Sequence, residues 1–502
     1  MSVQTGRITT DIPARLDRLP WARWHWLVVI GLGTVWILDG LEVTIVGSMS
    51  DALKPADTGL GMNSFQIGFA GASYVAGACL GALVLGQLTD RLGRKKLFMV
   101  SLGVYTVATV LTAFSMNPMW YFAARFLTGA GIGGEYAAIN SAIDELIPAK
   151  YRGRVDIAIN GSFWVGAAAG ALLTIPLLDP TVINQAWGWR LAFGLGAILA
   201  VGILLVRRNL PESPRWLFIH GREDEAEEIV QDVERTVSEE SGKTLEAVDR
   251  KITVRQRKSI GMGLIAKTVF TMYPKRTALC FSLFVGQAFL YNAFFFTYGD
   301  TLTTFMGVGQ TGYYIAIFAA SNFLGALLLS RLFDSVGRVK MIAGTYIVSG
   351  LLLGFTGFIL GSLDAKTLTL MGAIIFFFAS AGASAAYLTA SEVFPMETRA
   401  LCIAFFYAIG TAVGGISGPL FFGYLIDKGS ADKDITVIAI GYFVGAALMV
   451  GGGIVAAFLG VKAEGRALED IATPLTAEDD ADADAGTDAG TGTGPTPQPA
   501  TT

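Results

Sequence analysis

A chain of 502 residues with 53% hydrophobic and only 16% charged side chains is too apolar for a soluble globular protein, in which roughly a quarter of residues carry charge. Its formal net charge of -4 resides in a tail holding Glu478, Asp479, Asp480, Asp482, Asp484 and Asp488 with no Lys or Arg. The composition points to a membrane-embedded body and gives no reason to expect nucleic acid as a partner.

Residues 1–23 are polar and carry Arg7, Arg15, Arg18 and Arg23. No short apolar core ending in a small-residue cleavage pattern follows, so the first apolar run is expected to stay in the chain. Twelve apolar runs of spanning length then read at about 24–47, 67–88, 97–116, 119–146, 155–178, 190–207, 277–299, 312–333, 340–360, 367–391, 400–427 and 435–460. They predict an all-α membrane protein, with a six-helix bundle over 24–207 and another over 277–460.

The connections alternate in charge. Arg91/Arg94/Lys95/Lys96, Lys150/Arg152/Arg154, the 208–276 segment and Arg331/Arg338/Lys340 fall on one side, whereas Ser48–Gln66, Asn117–Met119 and Asp300–Gly312 carry little basic charge. Positive charge resists translocation, so the N-terminal segment, the central loop 208–276 and the tail 461–502 are expected to be cytoplasmic. The central loop shows a Glu/Asp/Lys/Arg pattern from Arg222 to Arg257 that suggests one or two solvated helices. From Thr473 on, Ala, Asp, Gly, Thr and Pro dominate, a composition expected to be disordered.

Small-xxx-small spacings at Gly77/Gly81, Gly129/Gly133, Gly166/Gly170 and Gly410/Gly414/Gly418 predict close helix packing, with hinges for rocking as the alternative. Cys79, Cys280 and Cys402 all lie in apolar runs, which fits small buried side chains better than disulfides or a metal site. His25 and His220 lie outside the middle of any span. No cofactor and no metal are expected, and without a nucleophile–base pair or phosphate loop an enzyme is not expected either.

One short basic turn, Gly86-Gln87-Leu88-Thr89-Asp90-Arg91-Leu92-Gly93-Arg94-Lys95-Lys96, has a weaker copy at Arg331–Lys340, with Asp334, Gly337 and Arg338 in the same relative places. The recurrence suggests a chain built twice. Further motifs are Arg125-x3-Gly129-x-Gly131-x-Gly133, Glu145-x-x-Pro148-x3-Arg152-Gly153 and Pro211-Glu212-Ser213-Pro214-Arg215-Trp216. The second half carries Glu392-x-x-Pro395-x3-Arg399, offset from its counterpart by a constant 247.

On these motifs the chain resembles the major facilitator superfamily across essentially all of residues 20–470, and within it the sugar-porter-like branch and its metabolite:proton symporter relatives. The resemblance implies two pseudo-symmetric six-helix bundles with a solute site between them. It also implies that Gly86, Asp90, Arg91, Gly93, Arg94, Glu145 and Arg152, with Asp334, Gly337, Arg338, Glu392 and Arg399, form a cytoplasmic gate. Read without the family, Gly93 permits a positive-φ turn and Asp90 would favour the positive end of a neighbouring helix; incidental positive-inside charges are the alternative.

Charges within spans cost about 2.5–3.5 kcal/mol on insertion scales, so those present call for a role. Asp39 and Glu42 lie three apart on one face of the first span. At ~1.5 Å per residue, Asp39 is ~12 Å and Glu42 ~8 Å from the outer end, and Arg125 on the fourth span is ~10 Å deep. Arg125 is therefore expected to pair with Asp39, Glu42 or both, either as a static pair or as one released by protonation. The resemblance implies the second, since proton-coupled members place an acid on helix 1 and an Arg on helix 4, where Asp39 and Arg125 stand.

The sequence departs from sugar porters in helix 7, where only Gln287 and Asn292 match their pattern, in helix 10, where Tyr387 replaces a tryptophan, and in helix 5, where Asn160 replaces a glutamine. The expected lining is instead aromatic: Phe289, Tyr291, Phe294, Phe295, Tyr298, Phe406 and Tyr407, with Tyr136, Asn140, Gln287, Asn292 and Asn322 as polar handles. That suits a compact, partly apolar solute such as an aromatic or heterocyclic carboxylate. Asp39-Gly40-x-Glu42 also resembles the helix-1 motif of aromatic-acid and nicotinate carriers.

The favoured reading is a monomeric plasma-membrane transporter moving a small organic solute with protons. A sugar symporter, a proton-driven exporter and a non-transporting nutrient sensor are the alternatives. The exporter is disfavoured by the resemblance, because span 5, with Gly161, Gly166 and Gly170, lacks the Gly-Pro pair typical of antiporter relatives.

Overall fold

The computed structural model describes residues 7–207, 212–248, 251–255, 263, 266–395, 398–463 and 471–472. Twelve long helices dominate them. In the first half these are α1 (Arg23–Ser48), α2 (Ser64–Leu92), α3 (Arg94–Ala113), α4 (Pro118–Leu146), α5 (Ala149–Leu177) and α6 (Gln185–Arg207). In the second they are α7 (Pro274–Met306), α8 (Gly312–Ser335), α9 (Arg338–Ile359), α10 (Ala365–Glu392), α11 and α12 (Ala439–Leu459). Helix α11 runs from Arg399 through a π-helical stretch, Ala412–Ile416, to Ser430.

A backbone in hydrocarbon must satisfy its own hydrogen bonds, which a helix does and an open loop does not. Eleven of the twelve are both long and apolar enough to cross a membrane among the described residues. The twelfth, α4, has the length but carries Arg125 and Glu135. The Asn117 side chain accepts from Trp120 N at 2.9 Å to start it, and Asp364 starts α10 in the same way at Thr367 N.

The small-residue spacings serve close packing. A Cβ on Gly77 would sit 1.9 Å from the Phe126 carbonyl oxygen, and one on Gly129 would sit 1.9 Å from that of Tyr74, so α2 and α4 touch backbone to backbone. Gly40 and Gly166 do the same for α1 and α5. Between the halves, Gly47 of α1 abuts the Phe295 carbonyl of α7, and Gly68 of α2 abuts that of Pro419 in α11. Beyond α1, Lys54 closes an ion pair with the buried Asp300 of α7, joining the two halves at the end away from the basic turns. Cys79, Cys280 and Cys402 are free and buried.

At the basic end the N-terminal segment and the central loop are not merely solvated. They build a second, smaller core: Ile12, Leu16 and Leu19 pack on Trp216, Leu217 and the stripe Ala226, Val230, Val233 and Val237 of the helix Glu223–Ser241. Arg15 bridges Glu227 at 2.8 Å and Glu234 at 2.7 Å, and β1 (Arg7–Thr10) pairs antiparallel with β2 (Ile252–Arg255). Of the 461–502 tail, residues 464–470 and 473–502 lie outside the described residues. Ile471 is buried, and its carbonyl accepts from Arg276 at 2.8 Å.

Candidate functional site

A cavity of about 150 Å³ lies between the halves, walled by α1, α2, α4 and α5 on one side and by α7, α10 and α11 on the other. Most of the wall is aromatic. Trp36 stacks on Tyr136 with ring centres 4.8 Å apart, Tyr136 meets Tyr407 of α11 edge-on at 4.8 Å, and Trp164 lies 5.4 Å from Tyr291 of α7. Asn160, Gln287, Asn292, Ser380, Ser384 and Thr411 supply polar groups. Among the described residues lining the cavity, Asp39 is the sole acid and no Lys, Arg or His joins it.

Asp39 is 1% exposed, and its two carboxylate oxygens accept one hydrogen bond each, from Tyr74 and Tyr136. Glu42, three residues on, turns away from the cavity toward α3 and α4, where it pairs with Arg125 and accepts from Tyr105 at 3.1 Å. The Arg125 guanidinium is fully buried and packs on the Tyr74 ring at 4.6 Å and on the Phe193 ring at 5.6 Å. Its Nε and Nη2 find no hydrogen-bond partner among the described residues. The expected pairing of Arg125 with either acid thus resolves to Glu42, and Asp39 is held by phenols.

Of the other expected lining residues, Tyr136, Asn160, Gln287, Tyr291, Asn292, Phe295, Tyr387 and Tyr407 border the cavity. Tyr298 instead bonds Thr369 at 2.8 Å on α10, and Asn322 accepts from the Tyr291 hydroxyl at 2.8 Å, one layer behind the wall. Phe289, Phe294 and Phe406 pack in the core away from it. The Asn140 side chain lies outside the described residues.

At the basic end, Gly93 and Gly337 take φ of 91° and 106°, a matched pair of positive-φ turns between α2 and α3 and between α8 and α9. Gly86 lies within α2. Arg338 Nη2 and Glu392 Oε1 are 3.1 Å apart. The side chains of Asp90, Arg91, Arg94, Glu145, Arg152, Asp334 and Arg399 lie outside the described residues. Glu212, from the Pro-Glu-Ser-Pro motif, accepts from the Lys95 amide at 3.2 Å, so a carboxylate does sit at the start of α3.

Trp36, Tyr74, Trp164 and Thr411 were not singled out by the sequence reading. The signal for Trp36 was present, since it precedes Asp39 by three residues and so shares its face. Glu135, buried on α4 and accepting from Ser101 at 3.3 Å, also went unread.

The family model described as sugar (and other) transporter matches residues 47–474. Among curated proteins, the niacin transporter NiaP of Acinetobacter baylyi is 28% identical over 424 residues, covering 82% of this chain and 89% of the relative. The 4-hydroxybenzoate transporter PcaK of the same organism is 26% identical over 412 residues, covering 81% and 86%. The proton:xylose symporter XylE, solved with 6-bromo-6-deoxy-D-glucose, superposes with a TM-score of 0.68 at 16% identity, covering 89% of this chain and 98% of that one.

Proposed function

Since this chain belongs to the sugar (and other) transporter family of the major facilitator superfamily, we propose that it imports a compact aromatic or heterocyclic metabolite, of the aromatic-acid type or an uncharged derivative, in symport with protons. It is a multi-pass membrane transporter of the sugar or metabolite type, and not an enzyme. In this reading it works as a monomer in the plasma membrane with both termini cytoplasmic, and the two bundles rock about the cavity to expose it to each side in turn.

The observation that carries the proposal is the placement of Asp39. It is the single acid among the described residues lining the cavity, and the two phenols that hold it reach in different directions. Tyr74 covers Arg125 behind the wall, whereas Tyr136 stacks on Trp36 and touches Tyr407 of the opposite half. A carboxylate accepts from both phenols; once protonated it becomes a donor itself and gives up part of that capacity. Proton binding at Asp39 thereby reorganises a tyrosine at the seam between the halves, which is how a proton and a solute come to be coupled through one rocking motion.

The aromatic wall favours a flat ring over a hexose, whose many hydroxyls each need a partner. Relatives named for niacin and for 4-hydroxybenzoate support a solute of single-ring size. The test is uptake into proteoliposomes with and without an imposed pH gradient, over a panel of single-ring aromatics and hexoses. Gradient-stimulated accumulation of an aromatic compound supports the proposal, and stimulation of hexoses alone refutes the solute class.

A further inference from the structure

Among the described residues, Lys54–Asp300 is the ion pair that joins one half of the molecule to the other. Lys54 follows the short helix Ser50–Leu53 beyond α1. Its ammonium donates to the Asp300 carboxylate and, at 3.2 Å, to the Thr304 hydroxyl, which in turn donates to the same carboxylate oxygen at 3.0 Å. Around the pair the two halves meet closely. A Cβ on Gly299 of α7 would stand 2.3 Å from the Gly47 carbonyl oxygen of α1, and Thr311, just before α8, donates to the Ser48 carbonyl at 3.3 Å.

The partners are placed unequally. The Asp300 side chain is 1% exposed and its Oδ2 has no hydrogen-bond partner among the described residues, whereas the Lys54 side chain is 28% exposed. With the halves together, the carboxylate therefore depends on Lys54 for its neutralisation, while the ammonium still reaches water. A buried charge without a partner is costly. Parting the halves at this seam removes the cost, because water then solvates the carboxylate whether or not Lys54 is present.

Resting on the rocking of the two bundles proposed above, we propose that Lys54 is a positioning residue that holds this end of the transporter shut, by neutralising Asp300 in the closed arrangement alone. The latch is one-sided. Loss of Lys54 turns the buried Asp300 carboxylate into a force that opens the end, whereas loss of the Asp300 charge leaves an ammonium already in touch with water and no such force.

The test is the distribution of spin-label distances in the full chain in lipid nanodiscs at pH 7.5. One label pair reads the latch end, Met116→Cys with Gly309→Cys, and a second reads the basic end, Glu228→Cys with Ser335→Cys; all four positions are exposed, and the three native cysteines are buried. Lys54→Ala is expected to raise the ratio of long to short latch-end distances at least about tenfold, below the full scale of an unpaired buried charge. Asp300→Asn and the double variant Lys54→Ala/Asp300→Asn should stay within about threefold of wild type, and Lys54→Arg should keep the wild-type distribution. Lys54→Gln takes the place of Lys54→Ala should the latter not fold. An unchanged latch-end distribution in the Lys54 variant, or one that Asp300→Asn or the double variant shifts as far, overturns the inference. If the latch end opens in Lys54→Ala while the basic-end distances stay as they were, the latch stands and the rocking of the bundles falls. Two basic-end distances in wild type with no effect of Lys54 at the latch end leave the rocking and remove the latch.

Discussion

The guanidinium of Arg125 lies 4.6 Å from the centre of the Tyr74 ring, whose hydroxyl donates to Asp39 on the far side. One side chain therefore separates a charge pair sealed inside the first bundle from an acid that faces the cavity. The two acids of the first span are placed differently: Glu42 neutralises Arg125, and Asp39 borders the cavity.

Removing one partner of a buried ion pair leaves an uncompensated charge, at a cost of about 3–5 kcal/mol. Glu42→Gln is accordingly expected to lower the midpoint of thermal unfolding in detergent, as is Arg125→Gln, while the double variant recovers much of the loss. An unchanged midpoint in Glu42→Gln would contradict the pairing.

Gly93 has φ 91° and ψ 156°, a region that non-glycine residues enter at a cost of about 1–3 kcal/mol. A Cβ there would also stand 2.6 Å from Glu212 Oε2, displacing the carboxylate from the start of α3. Gly93→Ala should therefore lower the unfolding midpoint. Gly103→Ala, within α3 and with open space around its Cβ, should leave the midpoint unchanged or raise it. Equal effects of the two would remove the argument from the turn.

The small core at the basic end is held by charge as well as by apolar contact. Burial works to raise the Glu234 carboxyl, but hydrogen bonds and charge from Arg15 and Arg18 prevail and hold it below its ordinary value; Glu227 is lowered against burial in the same way by Arg15 and Gln231. A folded-state value below the unfolded one gives stability that is complete above about pH 4.5 and lost as pH falls through the depressed value. Hydrogen exchange in Glu223–Ser241, corrected for the intrinsic rate, should thus hold its protection from pH 7.5 to 5 and lose it below about pH 4. Arg15→Ala should loosen the same helix at neutral pH.

The long helices were legible because a segment in lipid has one way to satisfy its backbone, and a run of about twenty apolar residues declares it. Even α4, despite Arg125 and Glu135, was read to within a residue at its start, where Asn117-Pro118 marks it. The pairing of Arg125 was not legible. Rise per residue sets depth, and Asp39, Glu42 and Arg125 lie at similar depths; the azimuth decides, and three residues turn a helix about 300°. That leaves about 60° between two acids of one face, enough to send Asp39 to the cavity and Glu42 into the bundle. The core at the basic end was half legible: Ala226, Val230, Val233 and Val237 form a helical stripe in the sequence, but its cover, Ile12 and Leu16, lies over two hundred residues away.

In the proposed symport Asp39 carries the coupled proton. Uptake of a bound aromatic solute into proteoliposomes with the interior made alkaline tests this, comparing the wild-type chain with Asp39→Asn. The variant should still bind the solute and exchange it across the membrane, and should lose all gradient-driven accumulation. Accumulation that persists in Asp39→Asn at the wild-type level would contradict the account.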